Sequence, residues 1–446
     1  MTWQPTAEYP KRYGWKTPIT APGPKGNDML RSMRKIQGDP LPYLEQVWRD
    51  HGDVVQFPIP WPVYLVSSPV GARDVLVNLN RDMGKRTLQY TTLSLVTGFG
   101  LLTADTAEWK PRRRAMQPAF HHQLVALTQS RVDEALISLN DEWRELTADG
   151  PAIVDIDQAM MELALKITGA ALFGINLEED AREITEATLI ALHGVIARAQ
   201  NPLPFPLAVP TPGNVRMNGA VKRLDRAVEK ILDMRAKNML PEGAPIRDML
   251  DVLLDLDEPL TAQQLRDEIV TFIVAGHETV ASALTWAWQL LGEQPELRDR
   301  VGADAEFAHR AFDETLRLYP PAWVITRRVL NDVEIDGCVI PAGAMVIVSP
   351  WLVHRHPEAW SQPLDFMPDR FEGGIPQLGY IPFGAGPRLC IGREMARMEG
   401  PSVLHNLSSN WIIEPVADGD VAIDASVTLR PKYGLPMRVS ARATSD

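Results

Sequence analysis

Residues 383–392 read Phe383-Gly-Ala-Gly-Pro-Arg388-Leu-Cys390-Ile-Gly392 and set a single cysteine among glycines. Glycine can adopt positive φ values or let the backbone approach a flat ligand closely, and we expect one or the other at Gly386 and Gly392. The residues after Gly392 read as the start of a helix, whose positive dipole end stabilises a nearby sulfur as thiolate. The run therefore predicts a tight loop that offers the Cys390 thiolate to a metal ion.

Two other interpretations of this run are weaker. A buried cysteine in a glycine-rich turn is the purely structural alternative. A dinucleotide-binding loop would begin with Gly384 and Gly386, but its third glycine position is occupied by Leu389. That interpretation fails.

The length and composition of the chain allow a large hydrophobic core. It has 446 residues, 45% of them hydrophobic, and a formal net charge of −12. No lysine-rich or arginine-rich block of the kind that nucleic-acid binders carry occurs, which argues against a nucleic-acid partner. The two cysteines, Cys338 and Cys390, are too few for a disulfide framework and fit a reducing compartment. The histidines show no metal-binding spacing, and we expect Cys338 to be a packing residue in a strand.

The N-terminal stretch Met1 to Pro24 is polar and interrupted by prolines, with no apolar run for a signal peptide or a membrane anchor. The longest largely apolar stretch, Ile269 to Ala275, is too short to cross a bilayer. We therefore expect a soluble, cytoplasmic protein.

Helix predominates in the expected secondary structure. A helix is predicted at Pro40–His51, followed by strands at 54–58 and 63–67, and then by mainly helical sequence from about residue 72 to residue 294. The stretch 201–213 holds five prolines and must be a loop. Strands are predicted again at 322–329, 333–335, 344–348, 421–423 and 436–439.

One helix is expected to be unusually long. Thr261 and Gln264 form a capping-box pattern at its start, and Pro295 stops it after Gln294. At about 1.5 Å per residue it would be roughly 50 Å long and would cross the body of the protein. In its middle Gly276 weakens the helix, and the Thr279 hydroxyl can bond back to the Ala275 carbonyl.

The cysteine run resembles the haem-ligand loop of the cytochrome P450 family, Phe-x-x-Gly-x-Arg/His-x-Cys-x-Gly, with every fixed position filled. The resemblance covers about residues 41–442. It implies that Cys390 is the axial ligand of the iron in a haem b (iron protoporphyrin IX). Electron donation from the cysteine sulfur would favour O–O cleavage at that iron. It also implies the cytochrome P450 fold, mainly α with small β-sheets and a long central helix over the haem. Residues 1–446 would form a single domain, with an irregular N-terminal segment over 1–40. The lack of an N-terminal membrane anchor is typical of bacterial members.

The middle of the long helix matches the family's Ala-Gly-x-Asp/Glu-Thr pattern. The resemblance implies a groove for dioxygen at Ala275 and Gly276, with Thr279 relaying protons and Glu278 connecting that relay to water. His277 occupies the family's variable position and is expected to be structural. The alternative is a simple helix kink with a solvated Glu278.

Two further sets of residues match the family. Glu314-Thr-Leu-Arg317 matches its Glu-x-x-Arg motif, and the resemblance implies that Arg370 joins these two residues in a buried charge network. We expect this network to serve folding and haem retention, and not catalysis. Beside Phe383, Gly386 and Gly392 of the cysteine run, the expected propionate-binding residues are Trp109, Arg113, Arg327 and Arg388. Four other arginines are expected to form a basic patch at which an acidic electron carrier docks. They are Arg112, Arg114, Arg393 and Arg397.

The predicted function is that of an oxidoreductase, a haem-thiolate monooxygenase that uses O2 and electrons from NAD(P)H, delivered by a ferredoxin and its ferredoxin reductase. A fatty-acid hydroxylase, a haem peroxygenase or isomerase using peroxide, and a haem sensor are the alternatives. We expect a monomer acting on a hydrophobic secondary-metabolite intermediate, terpenoid or indole-containing, by hydroxylation or oxidative cyclisation. The stretch 201–213 would be the lid of the substrate chamber. The predicted pocket residues are Tyr90, Leu95, Ile273, Ala322, Trp323, Val324 and Thr428.

Overall fold

The structure is a computed structural model that describes residues 19–57, 62–120, 122–177, 180–201, 205–237, 248–416 and 419–442. Much of the N-terminal stretch expected to lack a leader or anchor (residues 1–18) and part of the predicted lid (202–204) lie outside the described residues. The helices of the described residues are α1 (Gly26–Gly38), α2 (Pro40–His51), α3 (Pro69–Arg73), α4 (Leu88–Thr97), α5 (Thr106–Met116), α6 (His122–Leu146), α7 (Ile156–Phe173), α8 (Ala181–Ala199), α9 (Pro212–Lys237), α10 (Met249–Leu254), α11 (Ala262–Gly292), α12 (Pro295–Ala303), α13 (Ala305–Leu318), α14 (Pro350–Val353) and α15 (Arg393–Asn410).

The strands are short. They are β1 (Val54–Phe57), β2 (Val63–Val66), β3 (Met83–Gly84), β4 (Ala152–Asp155), β5 (Ile325–Val329), β6 (Val333–Ile335), β7 (Cys338–Ile340), β8 (Met345–Val348), β9 (Trp411–Pro415), β10 (Ile423–Ala425), β11 (Leu429–Pro431) and β12 (Pro436–Ala441). The predicted predominance of helix with small sheets is confirmed.

By their internal contacts the residues fall into two compact units. The first consists of the described parts of Met1–Tyr90, Ala322–Asp365 and Ile375–Cys390. The second consists of those of Thr91–Pro321, Phe366–Gly374 and Ile391–Asp446. That residues 1–446 behave as a single domain stays a prediction.

A five-stranded sheet in the order β1-β2-β8-β5-β3 organises the first unit. The parallel pair among its described strands is β2 with β8, with Val63 opposite Met345. All of β2 is buried, Tyr64 to Val66 completely, because both faces of the sheet are covered. A strand covered on both faces reads as a continuous apolar run, which is why Val63-Tyr-Leu-Val66 does not alternate with polar residues.

The second unit is built around α11. This helix has 31 residues, so it is about 46 Å long. The predicted capping box is present: the Thr261 hydroxyl accepts from the Gln264 amide at 3.2 Å, and the Gln264 side chain accepts from the Thr261 amide at 2.9 Å. Among the described residues α11 is the one helix apolar and long enough to cross a membrane. However, 83% of its most apolar window is buried within the protein, as befits a core helix.

Small sheets complete the second unit. β12 pairs with both β4 and β9, and β10 and β11 form a hairpin in which Asp424 lies opposite Arg430. The helix α15 packs closely on α13, since a Cβ at Gly400 would overlap the ring of Phe312. Glycine is therefore needed where these two helices meet.

Two expectations about regular structure are corrected. The segment 1–40 is not irregular throughout, because α1 occupies Gly26–Gly38, a stretch with no proline to interrupt helical hydrogen bonds. The strand expected at 421–423 instead covers Ile423–Ala425, where it pairs with β11. No sequence pattern indicated β3, which is two residues long and exists only through its pairing with β5.

Candidate active site

The cysteine run forms a closed loop in the first unit. The Cys390 amide donates to the Phe383 carbonyl at 2.9 Å, and the Leu389 amide donates to the Gly386 carbonyl at 3.0 Å. The Cys390 residue is exposed and takes part in no disulfide. The loop thus presents one thiol at a surface of this unit, as expected of a metal ligand.

Glycine is required at two positions of this loop. Gly384 and Gly386 have φ values of 70° and 68°, a region that other L residues rarely adopt. A Cβ at Gly386 would also overlap the carbonyl oxygen of Leu76, in a π-helical turn that packs against the loop. Gly392 does not have the positive φ considered for it: its φ is −88°, because it is the N-cap of α15.

A buried guanidinium in the same unit fits an anionic ligand. Arg327 is only 7% exposed, and its hydrogen bond runs to the carbonyl of the adjacent Thr326 at 2.9 Å. No carboxylate of the described residues forms an ion pair with it, although buried charges are normally paired. Together with the exposed thiol of Cys390, this arrangement fits a haem, whose iron would take the sulfur and whose propionate would take the guanidinium. Arg388, partly buried two residues before Cys390, is a further candidate for a propionate.

The other two predicted propionate residues lie on α5 in the second unit. Trp109 is 8% exposed, and the Arg113 Nε donates to Gln117 Oε1 at 3.0 Å. They are one helical turn apart and therefore share a face of α5. Their role towards haem stays a prediction.

The predicted basic patch is wrong in part. Three of its four arginines form ion pairs with carboxylates of the second unit. Arg114, which is exposed, is in none of the ion pairs that the structure shows. The pairs are Arg112–Glu268 at 2.8 Å, Arg393–Glu394 at 2.6 Å and Arg397–Asp313 at 2.8 Å.

Arg112 belongs instead to an anchor for the loop after α4. The Phe99 amide donates to Asp267 Oδ2 at 2.9 Å, and the Leu101 amide donates to Glu268 Oε2 at 2.8 Å. Arg112 then donates to the other oxygen of Glu268 and to the Phe99 carbonyl. Two carboxylates of α11 thereby hold the loop that follows α4, the helix that carries the predicted pocket residue Leu95. Nothing in the sequence pattern pointed to this anchor.

The hydrogen bond predicted for the alcohol on α11 is present, and the acid beside it is buried. The Thr279 hydroxyl donates to the Ala275 carbonyl at 2.8 Å. Since its proton is engaged there, the Thr279 oxygen offers lone pairs to the site and can accept a hydrogen bond. Glu278 is 2% exposed, so the alternative of a solvated Glu278 is wrong. Burial raises the pKa of its carboxyl above the ordinary value, partly offset by Arg430 and by a hydrogen bond from Thr428.

Gly276 has a packing role that the motif did not reveal. A Cβ there would lie 2.9 Å from the methyl group of Thr168 on α7, so glycine lets these helices approach. The dioxygen groove at Ala275 and Gly276 stays a prediction.

His277 is structural, as expected. Its ring is completely buried, and Nδ1 donates to the Ile273 carbonyl at 2.5 Å. Burial lowers the pKa of His277 to about 4, so the imidazole is neutral near neutral pH.

The predicted charge network is present in the second unit. Arg317 Nε and Nη2 donate to the two oxygens of Glu314 at 2.7 and 2.8 Å, and both side chains are completely buried. Arg370 Nε adds a bond to Glu314 Oε1 at 2.9 Å, as does the Met367 amide at the same distance. A fully hydrogen-bonded carboxylate of this kind fixes the position of the chain around it.

The predicted pocket residues of the first unit are brought together by Gln89. Its amide nitrogen donates to the Val324 carbonyl at 3.3 Å and its oxygen accepts from the Thr326 hydroxyl at 2.8 Å. This places Tyr90, which is buried beside Lys85, on the helix that contacts the segment Ala322–Val324. Trp323 in that segment is half-buried.

Among the pocket residues of the second unit, Ile273 is not supported. Its side chain has no exposed surface, and it lies about 120° around α11 from Thr279. Phe272 shares the face of Ala275 and Thr279 and is better placed. Leu95 is 38% exposed. Thr428 is buried, and its hydroxyl is used by Glu278.

The described part of the proline-rich loop is held by α9. Asn214 donates from its amide nitrogen to the carbonyls of Pro206 and Val209 at 2.9 and 2.8 Å. Arg198 of α8 donates to the Asn214 oxygen at 3.1 Å and to the Phe205 carbonyl at 2.9 Å. The loop predicted as a lid is therefore fixed to α8 and α9 at these points.

Another buried acid, on α15, was not foreseen. Glu399 on α15 is 1% exposed, and its Oε1 has no hydrogen-bond partner among the described residues. Burial raises the pKa of Glu399 to about 8, so this carboxyl is neutral near neutral pH.

Comparison with known proteins agrees with this architecture. The family model for cytochrome P450 matches residues 22–434. Cyclooctatin synthase of Streptomyces melanosporofaciens is 30% identical over 443 residues, covering 92% of this chain and 93% of that protein. Pentalenene oxygenase of Streptomyces avermitilis is 28% identical, covering 95% of this chain and 97% of that protein. The crystal structure of CYP175A1 from Thermus thermophilus has a TM-score of 0.79 and 32% identity, covering 95% of this chain and all of that one. On these grounds the chain belongs to the cytochrome P450 family and is a haem-dependent monooxygenase.

Proposed function

We propose that this enzyme hydroxylates or oxidatively cyclises a hydrophobic, terpenoid intermediate of bacterial secondary metabolism. One observation supports monooxygenase activity above all. Thr279, hydrogen-bonded to the Ala275 carbonyl, stands next to the buried acid Glu278. An enzyme that takes its oxygen from peroxide does not need a proton relay of this kind, whereas the use of O2 consumes protons.

The residues present would hold the cofactor at several points. Cys390 would bind the iron, and Arg327, Arg388, Trp109 and Arg113 the propionates. When bound, the haem supplies the activation of dioxygen. The chain itself contributes binding, orientation and proton control. Burial favours the neutral form of the Glu278 carboxyl, which donates a proton. A water carries this proton, and the Thr279 oxygen accepts a hydrogen bond from that water.

The substrate class is argued from the pocket residues and from the relatives. Tyr90, Trp323, Val324 and Leu95 are mainly apolar or aromatic, which suits a hydrophobic small molecule. The relatives whose names state a cyclic terpenoid product or substrate, cyclooctatin synthase and pentalenene oxygenase, match along nearly their whole length. Terpenoids are therefore favoured over indole compounds and fatty acids.

The remaining parts of the system follow from the chemistry. Electrons would come from NAD(P)H through a ferredoxin and a ferredoxin reductase. We expect a cytoplasmic, soluble monomer. Since Arg112 is engaged by Glu268, Arg114 is the better candidate for contact with an acidic electron carrier.

Two measurements test the proposal. Titration of the ferric enzyme with a cyclic terpene, an indole and a fatty acid should give a substrate-induced spin-state shift with the terpene alone. Thr279→Ala should lower the ratio of product to peroxide by about 10²-fold, the lower range of general acid–base effects, while the matched variant Thr279→Ser retains the hydroxyl and most of the coupling. Full coupling in Thr279→Ala, or product formation driven by peroxide alone at the same rate, would show a peroxygenase instead.

A further inference from the structure

The hairpin β10–β11 lays consecutive residues along one face of α11. The Thr428 hydroxyl donates to Glu278 Oε1 at 2.5 Å. The Leu429 carbonyl accepts from the Ser282 hydroxyl at 2.5 Å and from Trp286 Nε1 at 3.0 Å. Residues 278, 282 and 286 are spaced by one helical turn, so they share a face of α11. The hairpin therefore holds the acid Glu278 from a fixed position.

Arg430, the next residue, is a buried cation near the acid. Its Nη2 binds Asp157 Oδ2 on α7 at 2.5 Å, and the residue is 8% exposed. Its positive charge acts on both Glu278 and His277. Its Nη1 is buried and has no acceptor among the described residues. A buried N–H group in polar surroundings is normally satisfied by an ordered water, and a water here would lie in the neighbourhood of Glu278.

The same hairpin reaches the surface through Asp424. Asp424 lies directly opposite Arg430 in the β10–β11 register. It binds His193 Nε2 on α8 at 3.0 Å, and the His193 side chain is 58% exposed. His193 is also close enough for its charge to act on Glu278. Asp424, Arg430 and the exposed His193 therefore place polar and charged groups between solvent and the neighbourhood of the buried acid.

We propose that Glu278 is reprotonated from solvent through the β10–β11 hairpin, with the His193–Asp424 pair as the surface exchange group. Arg430 holds a water on this route, and Thr428 is the positioning residue that fixes the carboxyl. The inference rests on the proposed use of Glu278 as a proton donor.

The proton balance of the step is simple. The His193 imidazolium gives a proton to the water, and the water gives one to the Glu278 carboxylate. His193 then regains a proton from solvent, and no electrons move. Because Thr428 donates to Oε1, the arriving proton is carried by Oε2.

The charged groups around Glu278 favour this direction of transfer. They are Asp157 on α7, His193 on α8, Asp424 on β10 and Arg430 on β11, while the neighbouring His277 on α11 is neutral near neutral pH. The hydrogen bond to Asp424 raises the pKa of His193, so the imidazolium persists to higher pH. Burial raises the pKa of Glu278, so its carboxylate regains a proton readily.

The test follows hydrogen–deuterium exchange of neutral carboxyl groups in the holoenzyme by infrared spectroscopy after mixing with D2O. The C=O band of Glu278 is identified by its loss in Glu278→Gln, and that of Glu399 by its loss in Glu399→Gln. We expect His193→Ala and Asp424→Asn each to slow exchange at Glu278 by about tenfold or more, and added imidazole to restore the rate in His193→Ala. Glu399 is the internal control, and its exchange should not change.

Thr428→Val gives an independent readout. Loss of the hydrogen bond should shift the Glu278 band to higher frequency and leave the Glu399 band in place. Unchanged exchange at Glu278 in both His193→Ala and Asp424→Asn would overturn the route, as would the absence of a Glu278 band at every pH at which the enzyme is folded. Failure of the proposed function is detected separately, by full coupling in Thr279→Ala, a variant that should leave the exchange rate of Glu278 unaltered.

Discussion

Glu399 provides a stability prediction that can be calculated. This carboxyl is buried in α15 with no ion pair among the described residues, and burial raises its pKa to about 8 from the ordinary value of 4.5. The folded protein must therefore keep Glu399 protonated at a pH at which the unfolded chain would release the proton. The stability associated with this group is present below about pH 4.5 and is lost progressively as the pH rises to about 8.

The magnitude follows from the two pKa values. At about pH 7 the cost of holding the proton is about 3 kcal/mol, and at about pH 8 it is about 4 kcal/mol. At about pH 5 it is below about 1 kcal/mol. Glutamine has nearly the shape of the neutral acid and has no such cost. Glu399→Gln should therefore raise the free energy of unfolding by these amounts.

Urea unfolding of the holoenzyme at several pH values measures the effect. The wild type and Glu399→Gln should have similar midpoints at the acid end and diverge as the pH rises. Glu394→Gln, which changes an exposed carboxylate on the same helix, is the matched control and should follow the wild type closely. Parallel pH profiles for Glu399→Gln and the wild type would contradict this account, since they would mean that burial does not perturb this acid.

Three further predictions concern the site. Gly386→Ala introduces both a strained φ and an overlap with the neighbouring backbone, and should reduce the haem bound per chain, measured by the CO-difference spectrum of the reduced protein. Arg317→Met should lower the free energy of unfolding by about 3 kcal/mol in urea titrations, the lower end for a broken buried pair, because Glu314 loses both bonds from Arg317 and keeps those from Arg370 and the Met367 amide. Arg112→Gln should speed amide exchange in the loop that Glu268 anchors, measured by mass spectrometry, and leave the rate of reduction by ferredoxin unchanged, whereas a docking role would slow that reduction.

Local features of this protein were predictable from the sequence because each is made by residues close together in the chain. The capping box joins Thr261 to Gln264, and a side-chain hydrogen bond joins Thr279 to Ala275. The cysteine loop closes between Phe383 and residue 390. Such contacts depend on backbone geometry over one or two turns, which the residue types themselves favour.

The family motifs, the long helix and the acid–alcohol pair could all be read from the order of the amino acids. The surroundings of these features depend on the tertiary fold. Thr428 is 150 positions from the acid it holds, and Arg112 is 156 positions from Glu268, which makes it an internal anchor rather than a surface charge. Whether an arginine faces solvent or a threonine faces substrate depends on which distant element packs beside it. That is settled by the burial of whole helix faces and strands together, a free energy shared among many residues and carried by no single motif.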